Sequence, residues 1–305
     1  MPIATSTRLP LRCEPIPGES LNGFLARLAE RNHFTKAAWV ADLAGIRFPQ
    51  VWYSDDALER LAAVTEIEAV ALRDIAPPPP RSKVSFTVST VLGHNVSTEA
   101  FVRDGRRICP QCMAQSPHHR IAWDMRFVRS CVDHGTQLLA ACPECRRKLD
   151  WRTSSVRLCK CGFDLTTAQA AIVAAEAQAA TRHLQAMLLD IEQPVPVLLA
   201  ELEFHEVFYL LSRFGHFRGG GIEFVLDDSI DPSVEIWLAN GLTVLSQDAG
   251  ELERMLKTAA LLWSQFPNRA TIALLEEVRG RLEEMGRRAA TLSEIVGRAL
   301  EDPQG

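Results

Sequence analysis

Seven of the eight cysteines lie between Cys109 and Cys161, and with one histidine they form four close pairs. The pairs are Cys109-Pro-Gln-Cys112, Cys131-Val-Asp-His134, Cys142-Pro-Glu-Cys145 and Cys159-Lys-Cys161. Two donors held a few residues apart grip one ion from a single tight turn, and four pairs supply donors for two closed tetrahedral sites. Zinc suits such sets, because it is redox-inert, accepts thiolate and imidazole, and takes four ligands in structural sites. Pro110 and Pro143 help to shape two of the turns, and Gly135 and Gly162 sit where a turn can require positive φ. Disulfides or buried free thiols are the bland alternative, disfavoured in a reducing compartment. Only seven residues separate His134 from Cys142, which favours sequential pairing: Cys109, Cys112, Cys131 and His134 in one site, and Cys142, Cys145, Cys159 and Cys161 in the other. A cross-braced arrangement would join the first and third pairs, and His118 or His119 could replace a ligand of the first site. Cys13 lies far from the pairs and reads as an inert apolar filler.

Around this centre the apolar pattern is helical. Glu19 or Ser20 can cap a helix whose face is Leu21, Phe24, Leu25 and Leu28. A second short helix runs from Thr35 through Trp39, Val40 and Leu43 to Gly45. A third covers Asp55 to Val64 and a fourth Thr65 to Arg73. Short helices joined by tight turns suggest a helix-turn-helix-like bundle. The run Pro77 to Pro80 reads as a stiff connector, and Val84, Phe86, Val88 and Val91 as a strand. Ala168 to Asp190 lacks Gly and Pro and reads as one helix, followed by another over Glu201 to Phe214 and a turn at Gly219 to Gly221. Three stripes close the chain: Leu252, Met255, Leu256, Ala259 and Trp263; Ile272, Leu275, Val278, Leu282 and Met285; Leu292, Ile295, Val296 and Ala299. Such faces pack together. The expected architecture is mainly α with small β zinc-ribbon-like elements. Residues 1–76 form an N-terminal helix-turn-helix-like bundle, 77–166 a strand with two zinc-binding modules, and 167–305 a C-terminal helical domain.

Charge is uneven. The chain carries a net charge of -5, yet residues 81–160 hold fourteen Lys or Arg against six Asp or Glu. The candidate contacts to nucleic acid or a partner are Arg103, Arg106, Arg107, Arg146, Arg147, Lys148, Arg152, Arg157 and Lys160, with Trp151 among them to stack or to pack. A solvated basic face is the alternative.

Enzymatic signatures are missing. There is no GxxxxGK[ST] loop, GxSxG elbow or HExxH pair. Asp227-Asp228 and Glu276-Glu277 read as solvated faces, and His183, His205 and His216 as packed or exposed side chains. Closed metal sites leave no position for water or substrate, so no catalytic residue is expected. No apolar run approaches the roughly 20 residues of a membrane span, and Met1 to Pro10 lacks the pattern of a secretory signal, so a cytoplasmic location is expected.

The segment Pro15-Ile-Pro-Gly-Glu-Ser-Leu21, then Phe24-Leu-Ala-Arg-Leu28, resembles the start of TniQ/TnsD-type transposition proteins. So does the order Ile108-Cys-Pro-Gln-Cys112, Trp123, Cys131, His134-Gly135, Leu138, Cys142-Pro-Glu-Cys145, Cys159 and Cys161-Gly162, so that the likeness covers roughly residues 10 to 165. Leu261-Leu-Trp-Ser-Gln-Phe-Pro267 loosely resembles a further family feature. The resemblance implies a non-catalytic target-selection adaptor of a bacterial transposon. Such a protein marks a DNA site and recruits an AAA+ ATPase regulator, which recruits the transposase. Some relatives recognise DNA directly. Shorter ones, in CRISPR-associated transposons, dock on an RNA-guided effector complex, in some cases as a homodimer. The length here tilts towards the adaptor form. The alternative is a zinc-stabilised, sequence-specific DNA-binding regulator outside transposition. Two structural Zn2+ per chain are expected in either case.

Overall fold

A computed structural model describes residues 8–83, 86–103, 105–153, 155–215, 233–264 and 270–301. Expectations that fall on Val84, His216, the 219–221 turn, Asp227-Asp228 and Gln265 to Pro267 lie outside this set. The chain divides into two compact units, residues 1–81 with 87–174 and residues 82–86 with 175–305. The protein is mainly helical with small sheets.

The first unit opens on α1 (Leu21–Arg31). Ser20 caps it, its Oγ accepting the Gly23 N–H at 3.2 Å. Glu19 does a different job: its carboxylate, fully buried, receives Nε and Nη2 of Arg27 at 2.9 and 2.7 Å. Leu21, Phe24, Leu25 and Leu28 are buried as their spacing predicts. After α2 (Ala38–Leu43), α3 (Asp55–Thr65) starts on a Ser54 cap and ends where Glu66 turns left-handed, and α4 (Ala69–Asp74) follows. Thr65 therefore closes the third helix and does not open the fourth.

Beyond β1 (Arg81–Lys83), β2 (Phe86–Val91) pairs antiparallel with β3 (His94–Ser97), Val88 opposite Ser97 and Val91 opposite His94. The sequence reading had no β3. Only Val96 of its four residues is fully buried, so its apolar signal is a single residue. Further on come α5 (Pro110–Gln115) and a hairpin of β4 (Ser130–Cys131) with β5 (Thr136–Gln137). The single helix expected over Ala168 to Asp190 is a correction. Only α6 (Ala179–Leu188) is helical. Residues 171–173 run extended along β5: Gln137 N–H donates to Ala171 O and Val173 N–H to Gly135 O, both at 2.8 Å. Branched Ile172 and Val173 at an open strand edge outweigh the helix preference of the alanines around them.

The second unit holds α6, α7 (Phe204–Phe214), α8 (Ser233–Leu245), α9 (Ala249–Ser264), α10 (Ala270–Met285) and α11 (Ala290–Glu301). A reciprocal capping box between Glu203 and Glu206 starts α7, and Arg288 clasps the Glu206 carboxylate with both Nη atoms at 2.8 and 2.7 Å. The stripes bury Leu252 and Leu256; Leu275, Val278, Leu282 and Met285; and Leu292, Ile295, Val296 and Ala299. The Trp263 side chain lies outside the described set. Among the described residues, no helix is long and apolar enough to cross a membrane.

Candidate metal centres and the basic face

The first ligand group is assembled from one helix end and one hairpin. Cys109 is the N-cap of α5, Pro110 fills the first helical position, and Cys112 follows one turn later on the same side. Ile108 exchanges backbone hydrogen bonds with Leu139 at 3.0 and 2.8 Å, which docks this helix end beside the hairpin. Cys131 ends β4, and its carbonyl accepts the Gly135 N–H at 2.8 Å, closing the turn that presents His134. Gly135 has φ of 64°, as its place beyond the pair suggested. His134 Nδ1 lies 3.5, 3.3 and 3.4 Å from the sulfurs of Cys109, Cys112 and Cys131. Cys112 and Cys131 sulfurs are 3.5 Å apart.

The second group joins two turns. Cys142 N–H donates to Arg147 O and Arg146 N–H to Cys142 O, at 2.9 and 2.8 Å, with Arg146 left-handed at φ of 59°. Cys159 N–H donates to Phe163 O, and Gly162, at φ of 89°, donates to Cys159 O, both at 2.9 Å. Cys142 faces Cys161 at 3.8 Å and Cys145 faces Cys159 at 3.6 Å. In each group the four donor atoms lie within 4.8 Å of one another. The side chains thus gather in chain order, first pair with second and third with fourth.

These spacings fit a tetrahedral ion. Zinc bond lengths place two sulfurs about 3.8 Å apart and a sulfur and a nitrogen about 3.5 Å apart across a tetrahedron's edge. Thiol chemistry points the same way. Cys112 and Cys131 donate to Cys109 and hold its thiol far below the ordinary range, while the same contacts push Cys112 up. In the other group the Arg147 N–H holds Cys145 down to about 7, and burial pushes Cys159 up to about 12. Thiols this close ionise together only beside a cation, and each group can hold a metal ion. With His134 Nδ1 turned inward, its outward Nε2 lies 3.1 Å from the Gln115 side-chain nitrogen; a half-turn of that amide puts its oxygen there to accept the N–H that a ligating imidazole carries.

Neither spare histidine joins a group. His118 bonds Ser116 Oγ at 3.0 Å, and buried His119 bonds Ser20 Oγ at 2.8 Å and packs edge-on against Trp123 and Trp151. Burial holds His119 well below its ordinary pKa. Trp151 is packed, not exposed for stacking. Cys13 is half-buried, and burial raises its thiol. His183 and His205 are buried.

The nine basic candidates do not form one surface. Arg106 is a correction: it is buried, and its Nη1 and Nη2 donate to the carbonyls of Val156 and Ser155 at 3.1 and 3.2 Å. Arg107, half-buried, gives Nη1 to the carbonyls of Met125, Arg126 and Val128. Their sequence signal is charge alone, and the carbonyls that absorb it come from irregular loops distant in the chain. Arg103 is exposed beside a separate cleft of about 200 Å3 that also holds Asp124, Tyr53 and Asn22. Arg146, Arg147, Lys148, Arg152, Arg157 and Lys160 are exposed. Arg157 lies 3.3 Å from Asp164. Arg147, Lys148, Arg152 and Lys160 share one cleft with Asp150.

Asp124 escaped the sequence reading. Its side chain is mostly buried, 3.9 Å from His119 Nε2, and burial pushes its carboxyl up to about 7 against the pull of Arg107. No pattern in the chain marks it.

Compared with known families, residues 10–138 match the TniQ model. No curated protein matches the chain.

Proposed function

Because residues 10–138 belong to the TniQ family, we propose that the protein is a non-catalytic target-selection adaptor of a bacterial transposon. It links a DNA target, met directly or through an RNA-guided effector complex, to an AAA+ ATPase regulator and so to the transposase. The family match carries this reading. Segments 1–76, 77–166 and 167–305 are its functional regions: a helical opening, a metal-braced centre and a helical end; the chain as a whole can form a homodimer. The chemistry of the donor sets supports zinc as the ion, with Cys109, Cys112, Cys131 and His134 holding one and Cys142, Cys145, Cys159 and Cys161 the other. Zinc there supplies cross-linking and no reaction, because four protein ligands complete its shell.

Two measurements test the proposal. Metal analysis of the purified chain should give two zinc per chain, and His134→Ala should give one. A metal-free, fully folded chain overturns the ligand assignment. Affinity capture from cells expressing the neighbouring transposon genes should recover the AAA+ ATPase. No ATPase in the capture, with promoter effects and undiminished transposition on deletion, would replace the adaptor by a DNA-binding regulator.

A further inference from the structure

The segments Arg147 to Asp150 and Leu158 to Lys160 border a cleft of about 410 Å3. Arg147, Lys148, Arg152 and Lys160 line it, with Asp150 between them and Arg106 also in its wall. Asp150 lies 3.7 Å from Arg152 Nε and 3.2 Å from Lys160 Nζ, which holds both cations at the cleft. Arg106 is the unusual member. It is 3% exposed, its Nη atoms reach only neutral carbonyls, and its Nε is buried with no hydrogen-bond partner. Its guanidinium lies over Trp151 at 5.4 Å, and burial draws its pKa down to about 10. A buried cation without an anion on its fork is costly. The backbone enforces the placement. Gly105 has φ of 80°, a Cβ there would meet Lys148 Cε at 2.7 Å and Leu149 O at 2.9 Å, and Arg106 N–H donates to that same Leu149 O at 2.9 Å.

Charge alone has a local explanation to exclude. Four thiolates on one divalent ion leave a formal charge of about −2 nearby. Five cations face Asp150 and that site, so roughly two positive charges are left over. The excess is carried by the exposed Arg147, Lys148, Arg152 and Lys160, while the Arg106 fork is occupied by the Ser155 and Val156 carbonyls.

We propose that this cleft grips phosphodiester groups of a nucleic acid, with Arg106 in the wall and Arg147, Lys148, Arg152 and Lys160 closing on the backbone. The inference rests on the adaptor reading only for the nucleic acid being within reach. Phosphate contacts of this kind fix position without reading bases.

The test uses the full chain loaded with zinc and two probes, a DNA duplex of ~20 base pairs and a single-stranded RNA of ~20 nucleotides, titrated between about 50 and 200 mM salt. Each lost phosphate contact flattens the plot of log K against log salt by about 0.9 for duplex or 0.7 for single strands. Arg147→Ala with Arg152→Ala should flatten it by roughly 1–2 and weaken binding at least about tenfold at low salt. Lys36→Ala with Arg47→Ala removes equal exposed charge outside the cleft and should leave the slope nearly unchanged. Flattening with duplex names DNA as the source, and flattening with the strand alone names RNA; either supports the cleft. Equal flattening in both variants, or none in the cleft variant, overturns it in favour of a diffuse basic face. ATPase capture by the same variants is read in parallel. Capture retained with no cleft effect refutes the cleft alone, and capture absent with the cleft effect present refutes the adaptor alone.

Discussion

Asp124 and His119 sit in mutual contact range, and burial pushes both towards their neutral forms. The consequence for stability has a definite sign. An Asp124 carboxyl that titrates near 7 in the native state, against 3.8 in its absence, holds its proton more tightly when folded. Its contribution is therefore complete below the unfolded value and is lost as pH rises through 7. Asp124→Asn removes an ionisation that the fold resists. It should raise the melting temperature by several degrees at pH 8, and the gain should shrink to roughly a third at pH 5. A gain independent of pH, followed by calorimetry, would place the cause elsewhere. Glu19 shows the opposite solution to the same problem. It is more deeply buried, and there the Arg27 fork meets both of its oxygens while the Ile16 N–H reaches Oε2 at 3.0 Å.

At the scale of elements, the pairing of α7 with α8 depends on missing side-chain atoms. A Cβ on Gly241 would fall 2.1 Å from Leu211 O, a backbone atom that cannot swing aside. Gly241→Ala should force the helices apart and cost about 2–4 kcal/mol in denaturant titration, with an unchanged zinc content. What the sequence made legible at this scale follows physical range. Ligand pairs and helix faces are local, so Cys109 with Cys112, or Leu275 with Val278 and Leu282, announce themselves by spacing. Ser20 was a readable cap for the same reason. Partners set by the tertiary fold were not readable. The strand-like run at 171–173 owes its form to an edge more than thirty residues earlier. Arg106 looked like surface charge until Ser155 and Val156 returned to cover it, and Asp124 became unusual only under the packing around His119.

In the molecule as a whole, the helical opening and the metal groups belong to one compact unit. Ser20 N–H donates to His119 O and Ile121 N–H to Gly18 O, both at 2.8 Å, so the cap of α1 is fastened to the chain that runs from one ligand pair to the next. Structural zinc contributes on the order of 10–16 kcal/mol in small modules, as much as the whole net stability of a typical domain, about 5–15 kcal/mol. Chelation should therefore strip hydrogen-exchange protection from the Phe24 to Leu28 amides, which hold no ligand, while the amides of α10 and α11 keep theirs. Protection of α1 that survives chelation would show that the opening helix stands without the ions. The same fastening bears on biosynthesis. As the polypeptide leaves the ribosome, the opening helix emerges roughly a hundred residues ahead of the segment that secures it, and at about 5–20 residues per second it waits between about 5 and 20 seconds. The donors then appear in the order in which they are used, so the nascent chain can close its first metal knot before the last cysteines have been translated.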